Sequence, residues 1–307
     1  MKRVITAVIL VPIVILALFK APLWLFTLLV LGVALLAAKE YFEIAEKTGF
    51  KPMRTSGYVE IVLLFLSVAA IDSSQLLQLL AILMIALVAL FALISFVIGM
   101  ERESLRELLP NSAVSFMVLP YVAIPLALIV LQEALVGNGA LLLLYILLLV
   151  WCGDVAAYYV GRAMGKHKLA PRISPGKTWE GAIASTVAAT VISIFLFRFT
   201  VPIEHGLSSL RLWGTTGYLY YMPASDGTHF LAYDGPVWLA AIFGLSVNIA
   251  AQLGDLVESA MKRGADVKDS GTLLPGHGGV LDRIDALLFA VPVGWLFCQL
   301  RLQFMFR

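Results

Sequence analysis

Between Ser259 and Asp285 the chain reads SAMKRGADVKDSGTLLPGHGGVLDRID, a glycine-rich, mixed-charge stretch between two apolar segments. Its residue types are those that handle phosphates and hard cations. Asp282 stands at the start of the last apolar segment, and Asp255 lies just upstream of the stretch, beside Gly254. Cations such as Mg2+ collect carboxylate and phosphate oxygens in one shell, and Asp255 and Asp282 are the best-placed pair of carboxylates to supply the protein's share. Acidic residues also favour helix N-termini, and for Asp285, with Arg283 as its counter-ion, that reading competes evenly with a functional one. His277 with Gly278 and Gly279 forms a loop whose backbone N–H groups could approach an anion. His277 itself reads as a donor to phosphate or as a turn residue.

Three further constellations point the same way. Asn248, Gln252, Asp255, Ser259 and Lys262 are spaced 4, 3, 4 and 3 apart, which lines them along one face of a helix. The reading is either a ligand-facing stripe centred on Asp255 or a polar seam between helices. Asp154, Tyr158 and Arg162 repeat every four residues inside an apolar run, and an intramembrane carboxylate is a functional candidate unless a nearby basic residue simply pairs with it. Residues 169–181, LAPRISPGKTWEG, contain GKT, but Pro171 stands where a P-loop needs its first glycine and no strand is expected before it. Lys177 and Thr178 are instead expected to open a helix whose free N–H groups attract anions, with Arg172, Ser174 and Gly176 just before. The alternative is a basic loop on anionic headgroups. Carboxylates for a metal, Lys and Arg for phosphates and glycine-rich backbone are the inventory for phosphoryl or nucleotidyl transfer, where catalysis is positioning and charge neutralisation.

The elements that must position these groups are membrane helices. The chain is 61% hydrophobic and 14% charged, against about 25% charged in soluble domains. Apolar runs of about 18 residues or more read as spans of the roughly 30 Å bilayer core. The expected fold is an all-α polytopic membrane protein, a single membrane-embedded domain over 1–307. It comprises N-terminal helices in 1–131 and catalytic helices and cytoplasmic loops in 139–305. About nine spans are expected, near 4–19, 22–38, 58–71, 76–99, 112–131, 139–161, 180–200, 237–256 and 284–302. The N-terminus resembles a signal peptide but lacks a clean cleavage site, and is read as a retained helix. With the N-terminus in the cytoplasm, only Lys20, Arg198, Arg211, Arg301 and Arg307 of the 22 Lys and Arg fall outside. That bias obeys the positive-inside rule and places both motif-rich loops in the cytoplasm and the C-terminus outside. Residues 201–236 fall outside as an ordered cap. Cys152 and Cys298 lie in apolar segments, so no disulfide is expected.

The stretch from Ser259 to Asp285 resembles the signature of the phosphatidate cytidylyltransferase (CDP-diacylglycerol synthase) family. The matching positions are Ser259, Lys262, Arg263, Lys268, Asp269, Gly271, Leu274, Pro275, His277, Gly278, Gly279, Asp282, Arg283, Ile284 and Asp285. Asp154 to Gly165 and Ile173 to Gly181 are similar to family blocks as well, and residues 1–130 are similar mainly in hydropathy. The resemblance implies that CTP and phosphatidic acid give CDP-diacylglycerol and pyrophosphate with Mg2+, and leaves open a second metal ion, a monovalent one included. Asp255 and Asp282 would hold the metal. Lys262, Ser259 and His277 would act beside them. Lys177, Ser174, Arg172, Arg263, Lys268, Asp269, Gly278, Gly279, Arg283, Asp154 and Asn248 would bind substrate and its phosphates. The resemblance also implies a homodimer in a bacterial-type cytoplasmic (inner) membrane, with the active site facing the cytoplasm, membrane lipid as partner and no nucleic acid. A CTP-dependent lipid or polyprenol kinase is the second reading. An ion-coupled transporter fits less well, because the charges crowd one loop.

Overall fold

The computed structural model describes residues 19–70, 105–136, 139–199, 237–273 and 278–305, with isolated positions between 82 and 100 and between 203 and 209. The expected spans 4–19 and most of 76–99, the cap over 201–236 and His277 lie outside the described residues. The elements are α1 (Leu23–Lys47), α2 (Arg54–Ala69), α3 (Leu105–Val118), α4 (Ile124–Val136), α5 (Gly139–Met164), β1 (Lys168–Ala170), β2 (Ser174–Thr178), α6 (Trp179–Arg198), α7 (Val237–Gly264) and α8 (Leu281–Met305). The described residues are mostly helical, and among them five stretches are long and apolar enough to cross a membrane: α1, residues 106–134, α5, α6 and α7. Neither Cys152 nor Cys298 is in a disulfide.

Two compact units emerge, one from residues 21–135 and 261–284, the other from 136–260 and 285–307. In the first, the chain runs helical past the expected end of α1 at residue 38. The segment KEYFEIAEK keeps helical periodicity, and Lys39 and Glu43 pair at i, i+4, 3.9 Å apart. The helix stops at a glycine in the left-handed region, Gly49 (φ 93°). The amides of Gly49 and Phe50 return to the carbonyls of Glu46 and Ala45 at 2.9 and 3.2 Å, the Schellman arrangement that satisfies the last carbonyls of a helix. The core is aromatic. Phe42 is fully buried and meets Tyr58 edge-on at 5.6 Å between ring centroids. A Cβ on Gly57 would lie 2.5 Å from the Phe42 ring, so that glycine sets how closely α2 approaches α1. Between α3 and α4 a π-turn, Leu119–Ala123, carries Pro120 near its start. Proline supplies no N–H to the helical ladder, and a wider turn absorbs the defect.

In the second unit the helices pack through small residues. Gly181, Ser185, Ala189 and Ser193 recur every four residues on the buried face of α6, while Ile183, Val187, Val191 and Phe195 form its exposed face. A stripe of large apolar side chains facing outward opposite a stripe of small ones is the pattern of a helix with lipid on one side and helices on the other. A Cβ on Gly181 would stand 3.0 Å from the Ala157 carbonyl of α5, and one on Gly244 would stand 2.6 Å from Ser193 Cβ. Gly254 likewise admits the backbone carbonyl of Asp285, so α7 and α8 touch there main chain to main chain.

Where 169–181 was expected to be loop and helix start, an antiparallel hairpin forms, with Lys168 opposite Thr178 and Ala170 opposite Ser174. Lys177 therefore belongs to a strand, and α6 opens only at Trp179. Thr178 is its N-cap, accepting the Gly181 amide at 3.2 Å. That side-chain oxygen occupies one of the donors on which an anion was expected to rest.

Candidate active site

In the second unit the hairpin is fastened at its base. The Trp179 amide donates to the His167 carbonyl at 2.9 Å, and His167 Nδ1 lies 2.7 Å from Glu180 Oε1. This anchoring aims Lys177 from β2 at α7, where its ammonium forms an ion pair with Asp255. Ser259, one turn further along α7, donates to the other Asp255 oxygen at 3.3 Å. Lys177 and Asp255 remain 28% and 38% exposed, so the pair is open to a ligand. Asp154 on α5 lies within electrostatic reach of both Asp255 and Lys177. Arg162, which shares a helix face with Asp154, donates instead to Tyr158 Oη at 3.0 Å. Two carboxylates, an ammonium and a hydroxyl thus come together from α5, β2 and α7.

Asn248, predicted on the same stripe, faces elsewhere. It is 2% exposed and its amide is engaged on both sides: Nδ2 donates to Ser185 at 3.1 Å, and Oδ1 accepts from Thr186 at 3.1 Å and Gln252 at 2.6 Å. Gln252 also donates to the Ala182 carbonyl at 3.2 Å. These bonds form a polar seam between α6 and α7. Gly153 of α5 leaves room for it, since a Cβ there would lie 2.5 Å from Asn248 Nδ2.

The first unit holds the signature loop. The exit of α7 is another Schellman arrangement, with Asp266 (φ 55°) in the left-handed position and the Val267 amide on the Lys262 carbonyl at 2.9 Å. From this last turn, Lys262 Nζ reaches Asp282 Oδ1 at 2.6 Å. The Lys262 side chain is 14% exposed and that of Asp282 5%. Asp282 Oδ2 accepts the Ser270 amide at 2.8 Å, the Gly279 amide at 2.8 Å and lies 2.9 Å from Ser270 Oγ. The Gly279 N–H, expected to face an anion, is therefore turned inward to Asp282. Gly278 (φ 79°) makes the bend, and a Cβ on it would lie 2.5 Å from Asp282 Oδ2. Arg172 and Ser174 lie on the hairpin, Arg172 exposed. Arg263, Lys268, Asp269 and Arg283 are exposed around the signature loop.

Two residues absent from the sequence-based set complete this loop. Glu40 of α1, 5% exposed, accepts the Val280 amide at 2.9 Å and the Leu281 amide at 2.8 Å. Its Oε2 lies 2.8 Å from Ser270 Oγ. Glu40 reads in sequence as one more charge at the end of an apolar segment, and Ser270 as a loop serine. Only their contacts distinguish them.

The donor set bears on the expected Mg2+. Among the described residues no group of three or more His, Cys, Asp or Glu side chains gathers as a metal site. Asp255 fits a shared cation: it is partly exposed, and a hard cation that keeps waters and phosphate oxygens needs only one or two carboxylates. Asp282 fits less freely, because it is enclosed and already accepts from Lys262, Ser270 and Gly279.

A family model described as the cytidylyltransferase family matches residues 1–301. The phosphatidate cytidylyltransferase of Haemophilus influenzae is 41% identical over 155 residues, covering 50% of this chain and 44% of the relative. Those of Bacillus subtilis and Staphylococcus haemolyticus are 39% and 37% identical, over 155 and 157 residues that cover 46% and 48% of their lengths. The chain thus spans about half the length of the curated relatives it matches.

Proposed function

Because the chain belongs to the cytidylyltransferase family, we propose that it transfers the cytidylyl group of CTP to phosphatidic acid, yielding CDP-diacylglycerol and pyrophosphate. The observation that carries the reading is the Lys177–Asp255 ion pair, held partly exposed beside Ser259 and within reach of Asp154. An ammonium and carboxylates in one place suit a polyphosphate that arrives with a hard cation.

In this reaction a phosphate oxygen of the lipid attacks the α-phosphorus of CTP. A new P–O bond forms, the bond from the α-phosphorus to the bridging oxygen breaks, and pyrophosphate leaves with that oxygen. The nucleophile is already an anion, so no strong general base is required. The residues' task is to bring anions together and neutralise them. Lys177, with Arg172 and Ser174 on the same hairpin, takes phosphates in the second unit. Lys262, Arg263, Lys268 and Arg283 do so in the first, with Asp269 assigned beside them to substrate binding. Mg2+, when bound, supplies further neutralisation of the triphosphate. Of the two carboxylates read from the sequence as its ligands, Asp255, in the second unit with Asp154 close by, would hold it, whereas Asp282 is already taken up by Lys262, Ser270 and Gly279 in the first. Gly278 and Gly279 shape the signature loop, His277 is assigned from its place in the sequence as a hydrogen-bond donor to phosphate, and Asn248 holds the helices that present Asp255.

The reading places the protein in a bacterial-type cytoplasmic membrane as a homodimer with about nine spans, N-terminus and both loops in the cytoplasm, where CTP is available. It is supported by the five apolar helical stretches among the described residues and by the distribution of Lys and Arg. The test is purified protein with CTP labelled at the α-phosphate and phosphatidic acid in mixed micelles, with and without Mg2+. Labelled lipid with stoichiometric pyrophosphate is expected. Release of CDP with phosphorylated lipid would instead make the protein a kinase.

A further inference from the structure

We infer that Glu40 is a positioning residue of this site: it holds the signature loop in register so that Asp282 and Lys262 are presented in a fixed geometry. The inference rests on the nucleotidyl-transfer reading above. Glu40 lies in α1, more than two hundred residues before the loop in sequence, yet its carboxylate is buried against it. Each of its three partners there is a donor: the amides of Val280 and Leu281 and the hydroxyl of Ser270. Leu281 opens α8 and Val280 immediately precedes it, so the two amides lie at the helix start, where N–H groups have no partner within the helix. Gly279 N–H is taken by Asp282, and Asp282 N–H donates to Ser270 Oγ at 3.2 Å. The start of α8 is thus capped by Glu40, Asp282 and Ser270 together.

The glycines of the signature support the same assignment. A Cβ on Gly271 would lie 2.5 Å from Glu40 Oε1, and a Cβ on Gly279 would overlap both Glu40 Oε2 and Ser270 Oγ. Two glycines on opposite sides of the loop leave the volume that the Glu40 carboxylate fills. Ser270 then couples Glu40 to the site. Its hydroxyl sits 2.8 Å from Glu40 and 2.9 Å from Asp282, and its single proton serves one carboxylate at a time. The path Glu40, Ser270, Asp282, Lys262 is continuous within hydrogen-bond distance.

The test compares the full-length protein with Glu40→Gln and Gly279→Ala, in detergent. Glutamine keeps the volume of Glu40 but places an NH2 donor where one of the donors must be received. Gly279→Ala leaves Glu40 in the chain and fills its space. Both variants are expected to lower kcat on the order of 10- to 100-fold, the loss typical of a misplaced but intact site. Amide hydrogen exchange is expected to quicken over residues 279–282, with α1 and α2 keeping their protection and the thermal midpoint moving only a few degrees. A merely structural Glu40 would lose protection across α1 and α2 along with activity, and that pattern overturns the inference. Unchanged kcat with unchanged exchange at 279–282 in Glu40→Gln overturns it as well. If Glu40→Gln does not fold, Gly279→Ala decides by the same readouts. Absence of labelled lipid from the unmodified protein is a failure of the nucleotidyl-transfer reading instead, and the exchange measurement still reports on the Glu40 tether.

Discussion

Lys177, the penultimate residue of β2, forms an ion pair with Asp255, eighteen residues into the 28-residue helix α7. The hairpin that carries Lys177 is short, but both of its ends are fixed: Thr178 caps α6 and His167 meets Glu180. The ammonium is thus delivered to the carboxylate by anchored backbone rather than by a flexible loop.

A partly exposed pair of this kind contributes about 0–1 kcal/mol to stability, so Lys177→Met and Asp255→Asn should melt within a few degrees of the unmodified protein. Turnover should fall on the order of 100-fold or more for each, as for loss of a group aimed at transferring charge. The double variant removes both charges and restores neutrality. Measured turnover of the double variant near the unmodified rate would mean that the two residues merely balance each other.

The regular spacing of Asn248, Gln252, Asp255, Ser259 and Lys262 correctly indicates one polar face on α7, but the face has three destinations. Asn248 and Gln252 go to α6, Asp255, with Ser259 donating to it, to Lys177, and Lys262 to Asp282. Periodicity identifies a face without saying which neighbour covers which turn. The helices themselves were legible because bilayer length and apolarity specify them. The hairpin was not, since strands of three and five residues carry almost no alternation. Glu40 was missed because α1 continues past its apolar run, and a carboxylate there looks like an interfacial charge.

Asn248 separates the seam from the ligand-facing reading. Asn248→Ala takes from buried Ser185 its Asn248 partner, while Gln252 keeps the Ala182 carbonyl and Thr186, a loss of about 1–3 kcal/mol for an unsatisfied buried group. The thermal midpoint should drop while KM for CTP in the folded protein stays within about twofold, the small effect expected when no ligand contact is lost. A large rise in KM at unchanged midpoint would return Asn248 to the binding site.

Two glycines predict opposite signs. Gly244→Ala drives a methyl to 2.6 Å from Ser193 Cβ and 2.9 Å from Thr190 Cα, positions that cannot rotate away. It should destabilise by about 1–3 kcal/mol through forced separation of α6 and α7. Gly32 lies within α1 with nothing inside 4 Å of a Cβ, so Gly32→Ala should be neutral or stabilising by up to about 1 kcal/mol from helix propensity. Thermal midpoints in one detergent check both.

Lys262 and Asp282 should behave differently from Lys177 and Asp255, because burial changes what an ion pair does. With 14% and 5% of their side chains exposed, neither charge is screened well by water. Lys262→Met strands the Asp282 carboxylate in a poorly solvated place, and breaking a buried pair from one side costs about 3–5 kcal/mol. The amides of Ser270 and Gly279 still compensate part of that charge, so the lower end is expected. Lys262→Met should therefore lose stability and turnover together, whereas Lys177→Met loses turnover alone. Adding Asp282→Asn to Lys262→Met removes the stranded charge and should recover part of the thermal midpoint without recovering activity. No recovery of the midpoint would show that the loss in Lys262→Met does not come from the stranded Asp282 charge.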